Sequence, residues 1–383
     1  MKTLPPGATL GMLGGGQLGR MSILAGRRMG YRFQVLDPDP QGPAAQVADG
    51  VIAAPYGDID ALQRLARSVE RMTVEFENIP ADALAAVAAA GEVCPAPAVL
   101  SICQNRAREK EFLRRQGFPH APCARVDSLP ALQAAVATIG CPCVLKTADF
   151  GYDGKGQCRI DRPEDAAAAW RAHGDGPGIV EKWIHFSGEF SVICGRNGRG
   201  QETVFPVAEN EHRQHILHLT RVPARISPGR AAEARELGLA IARALDLVGL
   251  IAVELFLTDA GWLVNELAPR PHNSGHFSFD ACLTSQFEQH IRLVCNLPPG
   301  DTALLRPVAM INLLGDLWQR DGTPPDWSGL LADPAAKLHL YGKATARPGR
   351  KMGHFCVFGN DADAAATRAS QHYDALAAHA SRP

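Results

Sequence analysis

The chain has 383 residues, with 39 basic and 40 acidic side chains and a formal net charge of −1 when histidine is neutral. That balance gives no broad field for holding nucleic acid or an anionic membrane surface, so any anion must be held by a local site. A 46% hydrophobic and 21% charged composition is globular, and the length calls for two or three domains. No apolar run approaches the roughly 18 residues of a membrane helix, and the opening MKTLPPGATLGMLGGGQLGR is broken by glycines; a cytoplasmic location is expected. The ten cysteines share no repeated spacing, CPC at 141–143 is a poor zinc motif, and reduced, mostly buried thiols are expected.

Residues 8–13 read as a buried strand, GGGQLG turns the chain into a helix over 17–29, and YRFQVLD makes a second strand ending at Asp37. This is a right-handed parallel crossover. With strands near 50–53 and 72–75 and an alanine-rich helix at 81–90, residues 1–104 form an open α/β domain. A charged helix over 104–116 stops at Gly117 and opens a second domain, 105–300. Its strands are CVLKTA, GIVEKWI, EFSVICG, TVFPVAEN, GLIAVELFL and WLVNELA, and its helices fall at 129–139, 163–172, 229–247 and 278–295, an α+β pattern. After NLPPG a small β-rich domain, 301–383, has strands at 308–313, 337–341 and 353–358 and a terminal helix. There is no internal repeat.

Four stretches carry chemistry. Gly14-x-Gly16-x-x-Gly19 with Asp37 downstream has the dinucleotide spacing, which alone implies an NAD-dependent oxidoreductase; physically it guarantees only amides aimed at an anion, with Gln17 beside them. In GLIAVELFLTDAGWLVNELA, a hairpin with Asp259, Ala260 and Gly261 as its loop puts Thr258 opposite Trp262 and Glu254 opposite Glu266. Like charges so placed destabilise a sheet, so a cation belongs between them. Lysine or arginine would serve, but a divalent cation on both carboxylates and the amide oxygen of Asn265 or Asn273 suits them better, and beside phosphates that cation is magnesium. CVLKTADFGYDGKGQ places Lys146 on a strand before a loop where Gly151, Gly154 and Gly156 alternate with Asp153 and Lys155, suited to closing amides over polyphosphate without being a P-loop. In VEKWIHFSGEF, Glu181 and the backbone of 182–184 suit an adenine edge and ribose hydroxyls, with Glu189 near.

In this order, Lys146, GYDGKGQ, EKWI, Glu189, Glu254 and NELAPRPHNSGH resemble an ATP-grasp enzyme. More narrowly, GMLGGGQLGRM, VEFENIP, NELAPRPHNSGH and LYGKATARPGRKMGH resemble the N5-carboxyaminoimidazole ribonucleotide synthetase family, with the likeness running over about 8–358. The resemblance implies a Rossmann-like N-terminal domain, a central ATP-grasp domain with a lid at about 120–182, and a small C-terminal domain. It implies that Arg106, Lys146, Gly151, Tyr152, Asp153, Gly154, Lys155, Gly156, Gln157, Glu181, Lys182, Trp183, Ile184, Glu189, His212, Asn265 and Glu266 contact ATP, and that Glu254 and Glu266 hold Mg2+. EHRQHIL departs from the family by placing His215 where a glycine is usual.

The implied reaction is ATP- and bicarbonate-dependent carboxylation of 5-aminoimidazole ribonucleotide in purine biosynthesis, through carboxyphosphate, with release of ADP and phosphate. Pro269 stops the strand and releases Arg270, His272 and Asn273: the arginine fork suits a carboxylate or carboxyphosphate, and His272 suits a base for bicarbonate or the attacking amine. Lys343, Arg350 and Lys351, with the amides at Gly16 and Gln17, would clamp the 5′-phosphate. Tyr152 and Asp153, supported by Glu75 or Glu77, would meet the aminoimidazole. A homodimer is implied, with no nucleic-acid or membrane partner. The alternatives are a formate-using glycinamide ribonucleotide transformylase, the oxidoreductase of the glycine fingerprint, and a non-catalytic nucleotide-binding regulator.

Overall fold

The structure, a computed structural model, describes residues 1–149 and 156–380, and the side chains of those up to 378. The first sheet is parallel, in the order Gly50–Ala53, Arg32–Asp37, Thr9–Leu13, Arg71–Val74, Val93–Cys94. Apolar residues fill both of its faces, around Leu62, Leu65 and Leu84 on one and Ile23, Phe33 and Val35 on the other. The helix Gln17–Arg28 packs against Gln286–Val294, fixing this sheet to the middle of the chain.

A four-stranded antiparallel sheet follows, in the order Cys123–Val126, Gly178–Lys182, Cys143–Thr147, Gln157–Ile160. Its core is closed by Leu132, Val136 and Trp170 from the helices Leu129–Ile139 and Ala166–His173. The third and largest sheet runs Gly261–Ala268, Gly249–Thr258, Gly188–Arg196, Ala208–Arg213, Ile216–Val222, Val308–Leu314, Lys351–Phe358, Ala336–Leu340, with Glu202–Val204 paired onto Gly188–Arg196. The strands of the last segment therefore make no sheet of their own: Ile216–Val222 pairs directly with Val308–Leu314.

Several elements differ from expectation for local reasons. The apolar stretch 278–295 is two helices, Ser278–Ala281 and Gln286–Val294, because the Ser285 side chain accepts from Glu288 N–H and starts a new helix. TVFPVAEN is split around Pro206 into Glu202–Val204 and Ala208–Arg213. A helix at Pro97–Cys103 and strands at Cys123–Val126, Gln157–Ile160 and Ile216–Val222 lack a clear period in the sequence. The charged helix begins at Arg106, after Asn105, whose side chain accepts from Arg108 N–H. All ten cysteines are free thiols, and among the described residues no helix is long and apolar enough to cross a membrane.

Candidate active site

A cavity of about 600 Å³ opens between the three sheets. Its floor is the hairpin Gly249–Thr258 / Gly261–Ala268. Glu254 does face Glu266, as the sequence suggests, but by a different route. The turn is tighter than expected: Thr258 pairs with Gly261, at φ 119°, and Leu257, not Thr258, stands opposite Trp262. An extra residue, Asn265, then lies between the pairs Leu255↔Val264 and Glu254↔Glu266 and restores the register. This bulge puts consecutive side chains, Asn265 and Glu266, on the cavity wall beside Glu254. Asn265 Nδ2 lies 3.4 Å from Glu254 Oε2.

The bulge is held by the first turn of the helix Arg106–Gln116. Arg106 Nη1 donates to Glu266 Oε2 at 3.2 Å, Glu109 Oε2 accepts from Leu267 N–H at 2.8 Å, and Lys110 Nζ donates to the Asn265 carbonyl at 2.5 Å. Glu109 and Lys110 are almost fully buried, so this face of the turn is part of the interior, while Arg108 is exposed. Burial pushes the Glu109 carboxyl up to about 7, against the pull of Lys110.

The protein itself sets a donor on each of the two glutamates, the Arg106 cation on Glu266 and His272 Nε2 at 3.2 Å from Glu254 Oε1. Burial opposes charge on Glu254, but the hydrogen bond from His272, with His212 nearby, overcomes it and holds the carboxyl below its usual range. Among the described residues no group of three or more histidine, cysteine, aspartate or glutamate side chains is arranged to hold a metal. Two carboxylates and an amide fit magnesium that arrives with a polyphosphate, since this ion keeps waters and phosphate oxygens and needs few protein ligands.

The roof comes from the four-stranded sheet. Lys146 Nζ donates to Glu181 Oε2 at 2.8 Å, pairing two residues expected to meet different parts of a nucleotide. Burial disfavours the charged Glu181, yet Lys146 and Lys110 bring its carboxyl down to about 2. Among the described residues Glu181 Oε1 is buried without a partner, an acceptor suited to a ligand hydroxyl or amine. Lys182, Trp183, Ile184 and Gln157 line the same roof, whereas Gly156 does not. Gly151, Tyr152, Asp153, Gly154 and Lys155 lie outside the described residues. On the far wall Glu189 Oε2 lies 2.6 Å from His212 Nδ1; burial works against the imidazolium, but Glu189 raises its pKa. Phe186 and Phe256 stack at 4.4 Å and join the lining, as does His215.

At the other end stand Gln17, Glu75, Glu77, Arg270, His272, Asn273 and Lys351. Both polar atoms of the Asn273 side chain are buried without partners among the described residues, and so suit a ligand. Arg270 is held along one edge: Nε donates to Glu77 Oε2 at 2.5 Å and Nη2 to Glu77 Oε1 at 3.1 Å, while Nη1 makes a long contact, 3.4 Å, to the Pro271 carbonyl. The loop is fixed by Gln286, fully buried, whose Oε1 accepts from His272 N–H at 2.9 Å and whose Nε2 donates to the His272 carbonyl at 2.8 Å. Nothing in the sequence singles out that glutamine.

The glycine turn departs from the expected phosphate site. Gly15 N–H donates to Asp37 Oδ2 at 2.6 Å, Gly16 N–H donates to Glu75 Oε2, and Leu18 N–H lies 3.3 Å from Glu75 Oε1. The helix N-terminus is thus capped by two carboxylates of its own domain, and a Cβ at Gly16 would collide with Glu75. Asp37 is turned onto Gly15 and the Tyr56 hydroxyl, which removes the ribose contact of the oxidoreductase alternative. Gly16, Lys343 and Arg350 are not in the cavity lining; Lys343 donates to the Lys351 carbonyl at 2.7 Å and Arg350 to the Thr345 carbonyl at 2.6 Å. Burial and the nearby Arg350 lower Lys343 to about 8, against the pull of Glu75. Of that basic cluster, only Lys351 reaches the wall.

Comparison with known proteins agrees along the whole chain. Residues 7–104 match the Ribonucleotide synthetase preATP-grasp domain, 111–287 the ATP-grasp domain and 308–368 the Phosphoribosylaminoimidazole carboxylase C-terminal domain. N5-carboxyaminoimidazole ribonucleotide synthases of Bacillus subtilis and Brucella melitensis are 46% and 44% identical, covering 91% and 92% of this chain and 91% and 96% of theirs. A crystal structure of an N5-carboxyaminoimidazole ribonucleotide synthetase with ADP superposes with a TM-score of 0.92 at 42% identity, over 100% of both chains. That of the Aspergillus clavatus synthase with ADP and 5-aminoimidazole ribonucleotide gives 0.88 at 31% identity, over 96% of this chain and 98% of that one. With its hairpin, roof and loop gathered around one cavity, this chain belongs to the N5-carboxyaminoimidazole ribonucleotide synthase family of ATP-grasp ligases.

Proposed function

We propose that the chain carboxylates 5-aminoimidazole ribonucleotide with ATP and bicarbonate, through carboxyphosphate, releasing N5-carboxyaminoimidazole ribonucleotide, ADP and phosphate. The observation that carries this reading is the pair Glu254 and Glu266, opposed across a bulged hairpin on the wall of one cavity that also receives Lys146 and the Arg270–Asn273 loop.

Bicarbonate is a weak electrophile, and its oxygen leaves only after phosphorylation. Phosphoryl transfer needs alignment and charge neutralisation more than covalent help. Lys146 on the roof and Arg106 beside the floor supply fixed positive charge, and the orphan Glu181 oxygen suits the nucleoside end. Glu254, Glu266 and the Asn265 amide oxygen would hold Mg2+, which when bound neutralises phosphate charge. Arg270, held on edge by Glu77, gives positive potential at the reacting end, and the unpartnered Asn273 amide offers both donor and acceptor. Lys351 and Gln17 are the groups on the wall for the ribonucleotide, with Asp153 and Tyr152 of the lid loop as the partners of its imidazole. A homodimer and a cytoplasmic location complete this reading; light scattering on the purified chain tests the first.

The test is ADP release with 5-aminoimidazole ribonucleotide, omitting bicarbonate, ribonucleotide and magnesium in turn. Loss of turnover at each omission is expected. Turnover that survives without bicarbonate but requires formate would replace this reading with the transformylase alternative.

A further inference from the structure

Behind His272 runs a file of buried polar side chains for which the reaction above has no use. Thr220, Ser191 and Ser274 are fully buried and Asn210 nearly so. They come from neighbouring strands and the loop: Thr220 is paired with Asn210, and Ser191 with Glu254. Thr220 Oγ1 lies 3.0 Å from Asn210 Oδ1, Asn210 Nδ2 lies 3.1 Å from Ser191 Oγ, and Ser191 Oγ lies 2.6 Å from Ser274 Oγ. Ser274 Oγ is in turn 2.9 Å from His272 Nδ1.

The donors in this file can be counted. An amide nitrogen only donates, so Ser191 Oγ accepts from Asn210, and Ser274 Oγ, 2.6 Å away, stands as the acceptor for its single proton. Ser274 then has one proton of its own, and His272 Nδ1 is there to take the bond. A fixed donor agrees: the backbone N–H of Ser274 also points at His272 Nδ1, at 3.4 Å. On the other side of the ring, Nε2 faces Glu254 Oε1, and a carboxylate only accepts. Reversing the bond between Ser274 and His272 would set a ring N–H against the Ser274 backbone N–H.

We propose that Thr220, Asn210, Ser191 and Ser274 form a positioning relay that fixes His272 in the Nε2–H tautomer, so that His272 meets the reacting groups as a hydrogen-bond donor rather than as the base. This rests on His272 facing those groups, as in the function proposed above. The ring nitrogen that could take a proton is turned into the protein and occupied, and the one aimed at the cavity already holds a proton. The proton of the attacking amine therefore goes elsewhere.

The test begins with the unaltered enzyme labelled with 15N-histidine, its His272 signals assigned by their loss in His272→Gln. A protonated Nε2 and a bare Nδ1 are expected; a protonated Nδ1 overturns the relay. Ser191→Ala, which touches neither the ring nor the cavity, is expected to yield a mixture of tautomers and lower kcat roughly tenfold, one neutral hydrogen bond's worth, with KM for ATP within about twofold of the parent. Thr220→Val should act in the same direction, and Thr220→Ser, which keeps the hydroxyl, should restore the parent spectrum and rate. A pure Nε2–H signal and parental kcat in Ser191→Ala would also overturn it. Full turnover by His272→Gln would strike instead at the placement of His272 in the reaction, and the tautomer spectrum of the parent would stand apart from that result.

Discussion

Glutamine in place of Glu254 separates what the floor of the cavity does for folding from what it does for catalysis. In the folded chain Glu254 accepts long hydrogen bonds, from His272 Nε2 at 3.2 Å and Asn265 Nδ2 at 3.4 Å. A glutamine oxygen retains one of them, so the loss is about 1 kcal/mol. Against this, the substitution ends the opposition of two carboxylates across the hairpin, a cross-strand effect of about 0.2–1 kcal/mol. The two nearly cancel, and unfolding free energy in urea should move by less than about 1 kcal/mol in either direction. Turnover should not be spared: one of the two magnesium carboxylates is gone, and a bound divalent cation supplies several kcal/mol to a phosphoryl transition state, so kcat/KM should fall at least ~100-fold. Coupled ADP release across a magnesium titration reads the second effect. Turnover within about tenfold of the parent at the same magnesium would mean that Glu254 is not a metal ligand, because that loss is too small for a lost metal carboxylate.

Lys110→Met removes the cation shared by Glu109 and the Asn265 carbonyl in a buried setting, and should cost roughly 3 kcal/mol in urea unfolding while raising KM for ATP through a loosened bulge. The Glu75 carboxyl is raised to about 7, chiefly by burial and against the Gly16 hydrogen bond. A group raised on folding contributes stability that is full below its unfolded value and lost as pH climbs through the folded one, so the urea midpoint should decline between about pH 4.5 and 7, and Glu75→Gln should flatten that slope. Arg270→Lys replaces a two-pronged bond to Glu77 by a single contact and should lower kcat more than it raises KM for ATP, measured by initial rates at saturating bicarbonate. Gly16→Ala should dislodge Glu75 from the helix N-terminus and raise KM for the ribonucleotide, with the KM for ATP as the control.

The sequence made the large elements legible where a period or a cap was strong. The crossover unit at the front, the helices at 81–90 and 129–139 and the paired glutamates are all present. The glutamates were reached through two offsetting departures: the turn is one residue shorter than the motif suggests, and a bulge adds one back. No alternation rule carries that, since a bulge is stabilised by what lies across it, here Arg106, Glu109 and Lys110. The same three residues explain why a helix that reads simply as charged has one face of its first turns buried. The glycine turn shows the reverse. Its spacing does produce inward-facing amides, but which anion they take depends on Asp37 and Glu75, at the ends of other strands. Gln286, Ser191 and Asn210 carry no motif because their worth lies in partners far along the chain.

The seam between Ile216–Val222 and Val308–Leu314 ties the fate of the final segment to that of the nucleotide cavity. Cutting the chain after residue 300 would not free an autonomous module. It would uncover a border of amides and carbonyls over Leu219–Val222, ready to pair with another chain, and the shortened protein would precipitate by strand addition. Lys351 would go with it, so the active centre and the guard against clumping are lost at one stroke.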